Sequence, residues 1–159
     1  MYTVKNRKGD TMNKEEIIKN EEIQRQLYQL EVYKQQLSRL QEELGKIELL
    51  KLELLKSIAS MEGLKQSKEV LLPLGGGAFA KAVVEDSDKV IINAGIDIFV
   101  EKPIDGAIKD LKETCEELEK AENKIKEQIA KTLAAIEQLQ KELESKISVV
   151  EKGQVSESS

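Results

Sequence analysis

Any catalysis in this chain must be built without histidine, which the sequence lacks, and around one cysteine, Cys115. That removes the Ser-His-Asp and Cys-His nucleophilic systems. One thiol also forms no intrachain disulfide and no thiolate metal cluster. Cys115 falls in line with Leu111 and Leu118 on an apolar row, which is a packing position. The paired acids Glu42-Glu43 and Glu116-Glu117 have the right side chains for acid–base or metal chemistry. They sit among lysines at helical spacing, and charge runs of that kind form a solvated helix surface. Gly75-Gly76-Gly77 could wrap a phosphate, but no Gly-Lys-Ser/Thr follows and no long helix starts there, so a hairpin turn is the better reading. The chain reads as a non-enzyme with no cofactor and no metal.

Composition points to elements other than a globular core. Aromatic residues make up 3% of the 159 positions and tryptophan is absent, whereas charged residues reach 35%. A Glu/Lys/Leu-rich mixture of this sort favours long helices or coiled coils. The net charge of -5 argues against nucleic acid as a partner, because phosphate binding needs clustered positive charge. No apolar run approaches the ~20 residues that cross a bilayer, and nothing near Met1 resembles a secretory h-region. The expected setting is cytoplasmic, without a membrane.

Two long apolar rows organise the chain. Ile23, Leu27, Leu30, Tyr33, Leu37, Leu40, Leu44 and Ile47 advance by three or four residues, close to the 3.5-residue period of a coiled coil. The row continues through Leu50, Leu54, Ile58 and Met61, with Lys51 on the strict heptad position and Leu49, Leu52 and Leu55 widening the stripe. That widening suggests extra partners near this end. A second row runs from Ile104 through Ile108, Leu111, Cys115, Leu118, Ile125, Ile129, Leu133, Ile136, Leu139, Leu143 and Ile147 to Val150. Pro103 suits the first turn of this helix, and Asp105 places negative charge near its N-terminus. At 1.5 Å per residue the helices would be ~80 and ~70 Å long, and their matched lengths favour an antiparallel hairpin.

Between the rows the material changes. Glu69–Leu74, Phe79–Val84, Lys89–Asn93 and Asp97–Val100 read as four short strands, separated by the three glycines, by Glu85-Asp86-Ser87-Asp88, and by a turn around Ala94-Gly95-Ile96. Such spacing predicts two successive hairpins. The expected organisation is a disordered lead over 1–12, a coiled-coil helix over 13–67, two β-hairpins over 68–101, a second coiled-coil helix over 102–152 and a flexible tail over 153–159.

Four short strands bury little, isolated hairpins are marginal in water, and open edges invite pairing. Val70, Leu72, Leu74, Phe79, Val83, Ile91, Ile98 and Phe99 therefore need cover from other subunits. Lateral assembly into a barrel-like body is the economical solution. The fold class is α+β: a long antiparallel two-helix coiled coil joined by two β-hairpins that form part of an oligomeric β-barrel. Both termini would then lie at the far end of the helices, with Ile17, Ile18, Ile23 and Leu27 opposite Leu143, Ile147, Val149 and Val150. A two-helix seam cannot bury both members of the adjacent pairs Ile17-Ile18 and Val149-Val150, and exposed apolar patches mark interaction sites.

The central segment carries a family resemblance. Val70-Leu71-Leu72-Pro73-Leu74-Gly75, then Gly77-Ala78-Phe79 leading to Lys81-Ala82, then Asp88-Lys89-Val90-Ile91, then Val100-Glu101-Lys102 with Asp105 and Ala107-Ile108, resemble the alpha class of archaeal prefoldin. Two hairpins, not one, are similar to the alpha class and unlike the beta class. The sequence departs from the family at the second helix start, where Pro103 and Gly106 replace a Ser-type cap and a following acid. The resemblance implies an ATP-independent chaperone subunit in a hexamer of two alpha and four beta-type subunits. It also implies unfolded client proteins gripped at the helix ends and passed to a group II chaperonin. Two other readings compete with it: a non-chaperone coiled-coil scaffold, and a self-assembling prefoldin-like filament subunit.

Overall fold

A computed structural model describes residues 4–5, 11–12 and 14–157, with side chains from 14 to 149. The element order is β1 (Val4–Lys5), β2 (Thr11–Met12), α1 (Lys14–Gln66), β3 (Glu69–Gly75), β4 (Ala78–Val83), β5 (Lys89–Gly95), β6 (Ile98–Pro103) and α2 (Ile104–Glu157). Within the lead expected to lack structure, β1 and β2 form a two-residue antiparallel pair. Of the expected tail, residues up to Glu157 belong to α2, and the last two lie outside the described residues. The chain divides into two units, residues 1–43 with 125–159 and residues 44–124.

In the first unit, α1 and α2 run antiparallel. Lys146 Nζ lies 3.6 Å from Glu22 Oε2, and Gln26 Nε2 donates to Glu142 Oε2 at 3.4 Å, so partner numbers move in opposite directions. Leu40 of α1 and Ile125, Ile136 and Leu143 of α2 are buried along the apolar rows. Thr132 is buried among them, and its hydroxyl donates to the Gln128 carbonyl at 2.8 Å, so its polar atom keeps a partner inside its own helix.

In the second unit the same antiparallel sense is set by three pairs: Lys51 with Glu122, Lys112 with Glu62, and Lys65 with Asp105. Ile58, Met61, Ile104, Ala107, Ile108 and Cys115 form a buried cluster, with Leu54, Leu64, Leu111, Val90 and Ile92 packed on it. The charged Lys51 that breaks the heptad row of α1 sits 3.7 Å from the largely buried Glu122, which likewise interrupts the row of α2. The two irregularities answer each other across the seam.

Two antiparallel hairpins complete this unit, β3–β4 (hairpin 1) and β5–β6 (hairpin 2), each its own two-stranded sheet. In hairpin 1, Gly76 and Gly77 both take positive φ (57° and 82°), as the two-residue turns that match strand twist require. Hairpin 2 turns at Ile96-Asp97, one step later than expected, and Asp97 adopts φ 58°. A short acidic side chain tolerates that region better than most. Asn93 Oδ1 accepts from the Gly95 N–H at 3.2 Å and steadies the approach to this turn.

Pro103 corrects the expected helix start. It is the last residue of β6, paired with Lys89, and α2 begins at Ile104. Lacking a donor, proline is tolerated at a strand end. The first helical N–H, that of Ile104, donates to the Asp88 carbonyl at 2.8 Å, which gives that orphan donor a partner. Asp105 in the first turn accepts from Lys65 Nζ, which ties the end of α1 to the start of α2.

Candidate functional site

Two of the surfaces that present apolar side chains to solvent were expected from the sequence, and they lie in different units. The hairpins of the second unit come first. Strand alternation gives each hairpin two faces. In hairpin 2, Val90 and Ile92 point at the helical cluster while Ile91 and Phe99 stand exposed on the opposite face. In hairpin 1, Leu71, Leu72, Leu74, Phe79 and Val83 are all exposed, and Val70 is half-buried. Apolar residues therefore occupy both faces of hairpin 1. Of the residues expected to drive assembly, every one except Val70 has at least half its side chain free or nearly so, Ile98 among them. Leu71 and Ile96 were not singled out from the sequence, yet Ile96 at the turn of hairpin 2 is 94% exposed. Its signal was present: an isoleucine in a turn position has no neighbour of its own to pack against.

The helix ends of the first unit are the second surface. Ile18, Leu27, Ile147 and Val149 are exposed, the last by 54%, whereas Ile17 and Ile23 are half-buried. Adjacent residues on a helix point about 100° apart, so one member of each Ile or Val pair must leave the seam. Leu143 differs from the expectation. It is 4% exposed and belongs to the buried row, leaving it no surface to offer a partner. The Val150 side chain lies outside the described residues. Tyr28, exposed beside Leu27, was passed over because it stands off the heptad row.

Electrostatics add little chemistry. An open groove where the helices meet the hairpins is lined by Glu62, Lys65, Asp105, Ile108, Lys109, Lys112, Glu113 and Glu116. Within it Lys65 pairs with Asp105 and Lys112 with Glu62. The hydrogen bond from Lys65 to Asp105, reinforced by their opposite charges, raises the Lys65 ammonium above its ordinary value of 10.5. Among the described residues no group of three or more His, Cys, Asp or Glu is placed to hold a metal ion. No described helix is long and apolar enough to cross a membrane. Cys115 is a free thiol buried in the core cluster. The chemistry these surfaces can do is non-covalent: apolar contact, with a charged surround.

Comparison with known proteins agrees with this geometry. The prefoldin subunit family model matches residues 33–148. Prefoldin subunit alpha of Methanococcus aeolicus is 54% identical over 96 residues, covering 60% of this chain and 67% of that protein. The alpha subunits of Methanococcus maripaludis strain C5 and Methanococcus vannielii are 49% and 44% identical, covering 48% and 61% of this chain. The match spans only 54% and 66% of those two relatives' own length. Among solved structures, the cryo-EM structure of filamentous PFD from Methanocaldococcus jannaschii superposes with a TM-score of 0.57 at 30% identity, covering 70% of this chain and 95% of that one. Helix, paired hairpins, helix, and the sequence that builds them lead to one assignment: the chain belongs to the prefoldin subunit family, a chaperone family, and its relatives there are archaeal alpha subunits.

Proposed function

We propose that this chain is an ATP-independent holding chaperone subunit, which assembles through its hairpins and grips unfolded proteins with the apolar side chains at its helix ends. The observation that carries the reading is the exposure of Ile18, Leu27, Ile147 and Val149 in the unit that holds both helix ends. Single contacts of that size are weak, but several helix ends held on one assembly raise avidity by roughly 100-fold or more without any strong individual site. The assembly in this reading is a hexamer of two alpha and four beta-type subunits in the cytoplasm, handing its clients to a group II chaperonin. Exposed leucine, isoleucine and phenylalanine on the hairpins support the assembly half of it.

The test is light scattering from a chemically denatured protein diluted into buffer without nucleotide. The chain mixed with a beta-type subunit suppresses aggregation of several unrelated denatured proteins, and Ile18→Ser/Leu27→Ser/Ile147→Ser/Val149→Ser removes that suppression at unchanged assembly mass. Full suppression by the quadruple variant would sink the helix-end site. A second reading, a self-assembling filament subunit, is favoured by the likeness to a filamentous relative. Mass measured for the chain alone separates the two, since an open series of species growing with concentration supports the filament.

A further inference from the structure

The chain has five aromatic residues, three tyrosines and two phenylalanines. Phe79 and Phe99 stand on the hairpins, and Tyr33 is half-buried in the apolar row of α1. Tyr28 is different. It lies on α1 in the unit of the helix ends and is 73% exposed, next to Leu27. A ring held in water on a helix face adds little to folding, whereas tyrosine is among the side chains that carry most of the energy in binding contacts. Long helical side chains lean toward the helix N-terminus, over the residue three or four positions before them. Glu31 therefore leans over Tyr28, and Arg25 leans away from it, toward Glu21. Glu21 and Glu31 are both exposed. Among the described residues neither Tyr28 nor Glu31 takes part in a hydrogen bond, ion pair or ring contact. An electron-rich ring face and a carboxylate thus share one spot on the surface, with no cation of this chain engaged there.

The surroundings carry the same sign. Over residues 14–32 and 137–149, eight glutamates stand against five lysines and arginines. Two of those cations are already engaged, Lys141 with Glu137 at 3.4 Å and Lys146 with Glu22 at 3.6 Å. We propose that Tyr28 and Glu31 form a subsite for lysine or arginine side chains of an unfolded client, beside the apolar contact made by Leu27. The cation rests on the ring face, and its N–H groups donate to the Glu31 carboxylate. Leu27 and Tyr28 project about 100° apart on the helix, so they meet different side chains of one bound segment. The segment that fits alternates apolar residues with basic ones. Each such contact is small, since an exposed cation on an aromatic ring is worth roughly 2–5-fold in affinity. Several helix ends on one assembly multiply it. The inference rests on the holding role proposed above and names the class of segment that the helix ends select.

The experiment uses the full chain without a beta-type subunit, so that the helix ends read are its own. Fluorescence anisotropy follows its binding to labelled synthetic peptides that lack fixed structure. All carry the same leucines, with arginines between them in one, glutamines in the second and glutamates in the third. At low salt the arginine peptide is expected to bind roughly 2–5-fold tighter than the glutamine peptide, and the glutamate peptide more weakly than either. Tyr28→Leu/Glu31→Gln brings the arginine-to-glutamine ratio toward one. Tyr28→Phe keeps the ring face and preserves most of the ratio. Equal binding of the arginine and glutamine peptides by the parent chain overturns the subsite. So does a ratio that survives Tyr28→Leu/Glu31→Gln, which assigns the preference to the net charge of the helix ends. A glutamine peptide that fails to bind while the arginine peptide binds removes the apolar grip and leaves the subsite standing. If no peptide binds, the subsite falls, and aggregation suppression by the chain with its beta-type subunit still decides the holding role.

Discussion

In the unit of residues 44–124 the helices meet over a continuous buried cluster, from Ile58 and Met61 to Ile104, Ala107, Ile108 and Cys115, and a hairpin adds Val90 and Ile92 to it. In the unit of residues 1–43 and 125–159 the buried side chains are spaced along a seam, and apolar residues beside them stay in solvent. The same two helices thus pass through a region with a continuous core, whose exposed apolar residues lie on the hairpins and the outer side of α1, and one with a spaced seam, whose exposed apolar residues flank it. The difference teaches that one repetitive sequence can build both a continuous core and a spaced seam. Heptad spacing runs through both, and what separates them is whether a third element covers the helix pair.

The strongest way to break this comparison is to empty the packed region. Ile108→Ala is expected to cost about 3 kcal/mol, through lost transfer energy and the cavity left behind. It should lower the urea midpoint at fixed protein concentration and weaken assembly with it. A change below about 1 kcal/mol would mean the cluster is not the anchor claimed here. Next comes Lys51→Met, which removes one cation from beside the largely buried Glu122 and is expected to cost about 1 kcal/mol. Lys51→Leu/Glu122→Leu should recover most of that loss, because two leucines restore the heptad row on both helices. If the double variant is worse than the single, the pair supplies more than register.

The four exposed helix-end residues sharpen the comparison from the other side. Each of Ile18, Leu27, Ile147 and Val149 changed to serine should move stability by less than about 0.5 kcal/mol, while the four together remove client holding. A large stability loss would show that these side chains pack. The smallest effect belongs to Lys65 and Asp105, both well exposed. Since folding raises the Lys65 value above 10.5, the pair's contribution is present below that pH and fades as pH climbs through the raised value. Asp105→Asn should flatten the pH dependence of the melting temperature between about pH 9 and 12, by little, because water screens exposed pairs. Superimposable profiles of the two proteins would exclude this contribution.

Much of the fold was legible because its signals are local and repeated. Apolar steps of three and four residues define both helices, and Gly75-Gly76-Gly77 with alternating apolar residues defines a hairpin. Pro103 and Asp97 were misplaced by one step because residue preference at a boundary is weak, and the deciding contact, Ile104 with the Asp88 carbonyl, joins residues far enough apart to leave no pattern. The candidate surfaces were legible only in part. Adjacent apolar pairs announced that something at the helix ends must stay exposed, but spacing did not distinguish Leu143, which packs, from Ile147, which does not. Leu71 and Ile96 were not expected among the exposed apolar residues of the hairpins because exposure on a lone ribbon depends on what the fold omits to put over it.

The matched closures at Lys68/Val84 and Asp88/Ile104 carry a consequence for how the chain can change length. Each ribbon is closed at its base by an equivalent backbone bond, although only the second also rests on the helices. Removing or adding a whole ribbon shifts the downstream helix by a fixed quantum and leaves both splice points chemically equivalent.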